Sequence, residues 1–578
     1  MSSDRASIAH RNRLIVLALG FTFGFAVIIA QLVKYQIVQH PLWLYLGQQE
    51  RGEEKNITPA RGDILDALGL VLAMNSVRWD ISVSPSLVAD PEQLAEQLSE
   101  ALDQPRDEIA AVLAMTDTVW LPLAQGVDQQ VGERLFALHA SGLICEPRSI
   151  RVYPDGSLLA HTLGIVTMVG DGFHGVEGYY NQALKGSVGK EEIEHDSSGA
   201  PLPIPPLGQN PPRKGVSVVL TLDSNIQYIV QQELLHALDE YDAESGTVIV
   251  MDPRTGAILA NFSYPTYDPN DFASTDLGLI LDPAVSKMWE PGSVFKIVTW
   301  AIGLDTGTIS PGTTFYDDGT MEVGGRVIEN WDRQGHGLVT MTDGLAQSLN
   351  TVAAFISTSV GKDQFYTYLR RFGFGSLTNV DLAVEGPGMV KEPGDSNWFP
   401  SDLGTNSFGQ GIAVTPIQMI AAAAAVANRG VLMKPYIVQQ YITEEAGAPR
   451  VINVEPTIVR HAITEETALT LTGMLEEAIT QEASKAVVPG YHIAGKTGTA
   501  QVPTAYGYDP EDTIASFIGY APADDPRFIV LIKLDKPQES PWGTQTAAPT
   551  FQAIAERLFV YMHIPPDDVR LAQQAAGQ

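Results

Sequence analysis

Three short clusters in this chain carry residue types suited to nucleophilic chemistry: Ser293-Val294-Phe295-Lys296, Ser348-Leu349-Asn350 and Lys496-Thr497-Gly498-Thr499. A serine hydroxyl is a weak nucleophile alone; it needs a nearby base, a proton relay and donors for an oxyanion. If Ser293 opens a helix, Lys296 lies one turn on and on the same face, with its amine in reach of the hydroxyl. Ser348 and Asn350 alternate with Leu349, so both can point into a cleft while the leucine packs. Lys496 to Thr499 brings a cation, two hydroxyls and glycine-permitted backbone approach, which suits a carboxylate and an acyl oxygen. Each cluster alone has an ordinary reading: Ser293 as a helix N-cap, the lysines as solvated charges, Ser348 and Asn350 as capping residues. Their joint occurrence, in this order, favours the catalytic reading.

The elements that must position these residues follow from periodicity and punctuation. Val216–Leu222 is β-rich, and Asp223 can cap a helix from Ile226 to about Leu238. Thr247–Asp252 and Ala257–Phe262 read as strands joined by Pro253-Arg254-Thr255-Gly256. Helical stretches follow at Phe295–Leu304, Gly344–Ser357 and Ile417–Ala427, and strand pattern returns at Ala515–Tyr520 and Phe528–Leu534. Strands at both ends of a helical middle predict one antiparallel sheet packed with helices, an α+β domain. Upstream, Glu92–Leu102 and Asp107–Met115 read as amphipathic helices in a region without evident chemistry. Pro201–Gly215 reads as an extended linker, and the residues after Pro566 as a frayed tail.

At 578 residues the chain is too long for one core. Leu14–Val33 is free of charge and, as a helix, spans about 30 Å, one hydrocarbon core. Arg5, Arg11 and Arg13 precede it, so the positive-inside rule keeps the N-terminus cytoplasmic and puts the bulk of the chain outside. An uncleaved anchor is preferred to a signal peptide, because no small-x-small site follows closely. The expected organisation is a cytoplasmic tail (1–13), a single transmembrane helix (14–34), a mostly β or mixed pedestal of dimerisation type (35–215), the catalytic domain (216–565) and the tail (566–578). The lone cysteine, Cys145, forbids an internal disulfide and reads as an apolar filler. A formal net charge of −32 argues against nucleic acid as a partner.

Two nucleotide signatures are refused. Gly490 to Thr497 satisfies the phosphate-loop pattern, but Gly498-Thr499-Ala500-Gln501-Val502-Pro503 continues as strand, whereas a phosphate loop must open a helix. Gly170-Asp171-Gly172-Phe173-His174-Gly175 fits the dinucleotide fingerprint after the strand-like run Leu163–Val169, but Lys190–Asp196 is too charged for the next buried strand. The histidines show no metal-ligand spacing. No metal or organic cofactor is expected.

The three clusters together resemble the motifs of the penicillin-binding, serine-acylating transpeptidases. Trp289-Glu290-Pro291-Gly292 before Ser293, Ser407-Phe408-Gly409-Gln410-Gly411-Ile412 with Thr415-Pro416 and Gln418, and Ser516-Phe517-Ile518-Gly519-Tyr520-Ala521-Pro522 extend the likeness. Arg61-Gly62-Asp63-Ile64-Leu65-Asp66 resembles the start of the non-catalytic module of class B, monofunctional members. Arg151, Tyr153, Pro154, Ala160, His161, Gly164, Gly175, Glu177 and Tyr180 continue it. The sequence departs at Ala67-Leu68, where relatives often carry a charged pair. No glycosyltransferase motif occurs between 35 and 215, and the deacylating Glu-x-x-Leu-Asn of a β-lactamase is missing.

The resemblance implies a peptidoglycan D,D-transpeptidase. Ser293 would attack the D-Ala-D-Ala carbonyl, with Lys296 as base, Ser348 as relay and Lys496 tuning its field. Asn350 would hold the donor's amide, and Thr497 and Thr499, around Gly498, its carboxylate. The Ser293 and Thr499 N–H groups would form the oxyanion hole. Implied partners are stem peptides on a lipid-linked precursor, β-lactams, a polytopic membrane glycan polymerase and divisome membrane proteins. Ser407–Ile412 and Ala548–Ile554 look more like the septal, division type than the elongation type. An elongation enzyme, an idle envelope scaffold or β-lactam sensor, and carboxypeptidase side activity are the alternatives.

Overall fold

The computed structural model describes residues 3–43, 52–194, 211–445, 447–504 and 507–576. Most of the expected linker (201–210) and the end of the charged run at Asp196 lie outside the described residues. The chain divides into two compact units, Met1–Pro59 with Gly186–Lys214, and Ala60–Lys185 with Gly215–Gln578. The first holds the helix Ser3–Val33, which continues as a π-helical turn, Lys34–Val38. Its stretch His10–Val38 has the length and composition to cross a membrane. The same unit contains an antiparallel ribbon of Gly52–Ile57 with Gly189–Glu194.

The second unit is built on an antiparallel sheet of five strands: β1 (Ser245–Asp252), β2 (Ala257–Tyr264), β3 (Ala494–Thr504), β4 (Gly507–Ala521) and β5 (Phe528–Asp535). Their spatial order is β2-β1-β5-β4-β3. Helices cover both faces, which is why these strands are apolar without alternation. Val248, Val250, Phe517, Val530 and Ile532 pack with Ser224–Glu240 and Ala547–Tyr561; Ile249, Met251, Ile518 and Leu531 join the core of the other face. That second core contains Lys296–Asp305, Asn350–Val360, Pro416–Ala427 and much of Glu465–Glu482. Every residue of Pro416–Ala427 is buried; a helix apolar all round belongs inside a core, and its alanines let neighbours approach. Thr415 and Gln418 close a capping box at its start. The helix expected from Ile226 runs Ser224–Glu240, with the Asp223 carboxylate accepting from the Asn225 and Ile226 amides.

A second sheet runs through the pedestal and into the catalytic region. Ser217–Leu220 pairs in parallel with Ile64–Leu65 and antiparallel with Val438–Glu445, so the two expected modules share one sheet. Val71–Val83 continues it and pairs with both Leu121–Val127 and Leu143–Val152. The expected amphipathic helices are present as Pro91–Leu102 and Arg106–Leu113, and they bury Leu94, Leu98, Ile109 and Leu113 against Trp79 and Ile81. Among the residues that carry the class B likeness, Glu177 is fully buried and takes a guanidinium on each oxygen, from Arg61 at 2.6 Å and Arg151 at 2.6 Å. Cys145 is half-buried in the Leu143–Val152 strand, and burial pushes its thiol up to about 11.

Three expectations change. The strand-like run Leu163–Val169 is a helical turn, Ala160–Leu163, then a two-residue strand, Ile165–Val166, that pairs with Gly172–Phe173. The glycines there make tight backbone crossings: a methyl on Gly164 would sit 2.2 Å from the His174 carbonyl oxygen. The helix expected over Gly344–Ser357 is two helices, Met341–Ala346 and Asn350–Val360, broken at Gln347-Ser348-Leu349. The tail forms a helix, Asp567–Ala576, because buried Asp567 accepts from the His492 amide at 2.6 Å and Arg570 grips Asp524.

Candidate active site

Ser293 sits in a 3-10 turn, Gly292–Phe295, that leads directly into the helix Lys296–Asp305. Gly292 holds a left-handed φ of +58°, and a methyl there would lie 3.0 Å from both the Ala500 Cβ and the Thr499 carbonyl oxygen. The turn is clamped from the other side by Gly409, whose added methyl would meet the Gly292 carbonyl oxygen at 2.4 Å. Trp289 and Val414 exchange two backbone bonds of 2.9 Å, which fixes the approach to the turn.

Ser348 has φ +58°, a conformation a serine rarely takes. It ends Met341–Ala346 and reverses the chain, with its amide on the Leu345 carbonyl at 3.2 Å and Leu349 fully buried behind it. Asn350 then starts the next helix, its amide held by Asn330 Oδ1 at 3.0 Å. Lys496, Thr497, Gly498 and Thr499 lie on β3, the free edge of the five-stranded sheet. No helix opens at this glycine-lysine pair, as a phosphate loop would require. A methyl on Gly498 would sit 2.4 Å from Ser516 Oγ and 2.9 Å from Val294 Cγ1, so the strand lies directly against the Ser293 turn.

The side chains converge on Lys296. Its fully buried Nζ lies within hydrogen-bond reach of Ser293 Oγ (3.2 Å), Ser348 Oγ (3.2 Å), the Ser348 carbonyl (2.5 Å) and Asn350 Oδ1 (2.8 Å). Among the described residues no carboxylate is paired with it. Burial pushes its pKa well down, and the charge of Lys496 pushes it further in the same direction. Burial also lowers Lys496, to about 8, against a smaller opposing pull from Glu482. Among the described residues the Lys496 ammonium bonds only to Thr497, at Oγ1 (3.3 Å) and the carbonyl (3.4 Å), not to Ser348. Thr499 Oγ1 accepts from the Gly543 amide at 3.2 Å.

The Lys296 amine thus gathers Ser293, Ser348 and Asn350, and β3, which carries Lys496, Thr497, Gly498 and Thr499, lies against the Ser293 turn through Gly498. Sequence reasoning missed Glu290, whose carboxylate accepts from the Gly411 amide at 3.1 Å and the Tyr508 hydroxyl at 2.9 Å and so ties the nucleophile turn to β4. It also missed Gly543, which has no room for a side chain against Gly498 and Ser516. In the sequence Glu290 is only a flank of the nucleophile cluster, and a lone tryptophan-glycine pair carries no signal.

Residues 246–556 match the family described as penicillin binding protein transpeptidase domain, and residues 56–220 match the penicillin-binding protein dimerisation domain. Stage V sporulation protein D of Bacillus subtilis is 32% identical over 550 residues, which cover 94% of this chain and 85% of that protein. A probable peptidoglycan D,D-transpeptidase, PbpC of Pseudomonas aeruginosa, is 27% identical and covers 99% of this chain and 98% of its own. The structure of penicillin binding protein 3 of Mycobacterium tuberculosis, complexed with aztreonam, superposes with a TM-score of 0.68 at 27% identity, over 89% of this chain and 99% of that one. With a dimerisation domain paired to a transpeptidase domain and a relative 32% identical over 94% of its length, the chain belongs to the class B penicillin-binding proteins, the serine-type peptidoglycan D,D-transpeptidases.

Proposed function

We propose that this chain cross-links peptidoglycan stem peptides at the septum through an ester on Ser293. The observation that carries the reading is the buried Lys296 amine, 3.2 Å from the hydroxyls of both Ser293 and Ser348 and, among the described residues, without a carboxylate partner. Burial and the Lys496 charge both favour the neutral amine, the form in which a lysine acts as a base. Ser293 Oγ attacks the carbonyl of the D-Ala-D-Ala bond and gives its proton to Lys296. The negative oxygen is held by the N–H groups of Ser293 and Thr499. As the C–N bond breaks, Ser348 relays that proton from Lys296 to the leaving amine of D-alanine. An amine from a second stem peptide then attacks the ester and regenerates Ser293.

Thr497 and Thr499 offer hydroxyls to the donor's terminal carboxylate, and the Lys496 charge attracts it. Gly498 keeps the strand close enough to do so. Asn350 positions Lys296 through Oδ1 and gives one Nδ2 hydrogen to the Glu329 carbonyl at 3.0 Å, which leaves the other for the donor's amide. A strained lactam amide presents the same carbonyl and carboxylate, so β-lactams acylate Ser293. The arginines ahead of the apolar helix support an N-terminus in the cytoplasm and a catalytic domain outside. There the lipid-linked precursor, a polytopic glycan polymerase and the division membrane proteins are its partners. The septal assignment rests on the likeness of Ser407–Ile412 and Ala548–Ile554 to that type.

The test supplies a D-Ala-D-Ala stem peptide and an amine acceptor to the purified full chain and follows free D-alanine and cross-linked product by mass spectrometry. Product from wild type and none from Ser293→Ala supports the reading. D-alanine release at equal rate from both proteins contradicts it.

A further inference from the structure

Two exposed tryptophans meet between the segment next to Ser348 and the segment laid on β3, and no role above uses them. Trp331 is 55% exposed and Trp542 is 42% exposed, yet their rings lie edge to face with centroids 5.4 Å apart at 67°. They come from opposite walls. Trp331 follows Asn330, which is locked to Asp317 at 2.8 Å and caps Asn350 and Thr351. Its indole N–H reaches the carbonyl of Gln347, the residue before Ser348, at 3.2 Å. Trp542 precedes Gly543, whose backbone lies flat on β3: its amide is on Thr499 Oγ1, and a methyl there would meet the Gly498 carbonyl oxygen at 2.4 Å. The Trp542 carbonyl is anchored in turn by the Gln545 and Thr546 amides.

We propose that Trp331 and Trp542 form an aromatic bridge across the mouth of the acylation cleft, which a donor must part to reach Ser293 and which therefore limits the rate of acylation. The inference rests on the acyl-transfer reading given above. The geometry supplies the argument. The Trp331 indole is held on one side by the Gln347 carbonyl, the backbone beside Trp542 is held on the other by Thr499, and the two rings meet between them. A terminal carboxylate bound at Thr497 and Thr499, with its acyl carbon on Ser293, lies between the segments from which these rings project. An edge-to-face pair contributes about 0.5–1.5 kcal/mol beyond its buried area, so parting it slows entry by about two- to tenfold.

The test measures second-order acylation by a fluorescent penicillin in the detergent-solubilised full chain, for wild type, Trp331→Ala, Trp542→Ala and the double variant. Either single change opens the bridge, so each is expected to acylate about two- to tenfold faster, with the double variant no faster than the faster single. Trp331→Phe, which keeps a ring, is expected to fall between wild type and Trp331→Ala. Unchanged or slower acylation in the single variants, or gains that multiply in the double, overturns the bridge alone. A wild type that takes up no penicillin overturns the acyl-transfer reading and the bridge with it.

Discussion

Lys496 does two things in this cleft, and its titration should reveal both. It is a buried cation whose pKa is brought down to about 8, and its charge adds to the burial that lowers the Lys296 pKa. Acylation by an anionic lactam then needs Lys296 deprotonated and Lys496 protonated, which gives a bell-shaped pH profile. With a pKa near 8, Lys496 is about nine-tenths charged at pH 7 and about one-tenth at pH 9, so the second-order rate should fall roughly tenfold across that interval. Lys496→Gln removes the descending limb, because no proton is left to lose. It also removes the charge that depresses Lys296, so the Lys296 pKa rises and the ascending limb moves to higher pH. The assay is stopped-flow acylation by a chromogenic lactam from pH 6 to 9, with unfolding midpoints recorded to confirm that the variant is folded. A descending limb that survives near pH 8 in Lys496→Gln, or an ascending limb that moves to lower pH, refutes the coupling.

Gly498→Ala pushes a methyl to 2.4 Å from Ser516 Oγ and 2.9 Å from Val294. It is expected to cost about 1–3 kcal/mol of stability, read from the urea midpoint, and to slow acylation by about ten- to a hundredfold because the nucleophile turn is displaced. Glu177→Gln leaves Arg61 and Arg151 buried around a neutral amide; the unfolding free energy should drop by about 3–5 kcal/mol, while the folded fraction still binds penicillin. Arg570→Ala removes the clasp on Asp567 and Asp524. A loss of about 1.5–3 kcal/mol is expected, with faster amide exchange over residues 567–576.

The chemistry was legible because it is local. Ser293 and Lys296 are one turn apart by spacing, and Leu349 between two polar residues announces which way Ser348 and Asn350 face. The sheet strands were legible as unbroken apolar runs, since both faces are covered. What could not be read is set by tertiary contact. The left-handed φ of Ser348 breaks a helix that composition favours, because glycine or asparagine, not serine, is the usual signal for that conformation. Ile64–Leu65 is a two-residue strand, too short to leave a pattern, yet it carries the second sheet into the catalytic region. The C-terminal helix depends on Asp567 docking at Gly490 and His492, and polar residues at a chain end read as frayed without that dock. Glu290 and Tyr508 are far apart in sequence, and nothing in either flank names the other.

The most direct test of the central claim is the intact mass of the purified chain after exposure to penicillin, compared with that of Ser293→Ala. The account predicts one covalent adduct on wild type, mapped to the peptide containing Ser293, and none on the variant. An adduct of equal occupancy on both proteins, or none on correctly folded wild type, contradicts it.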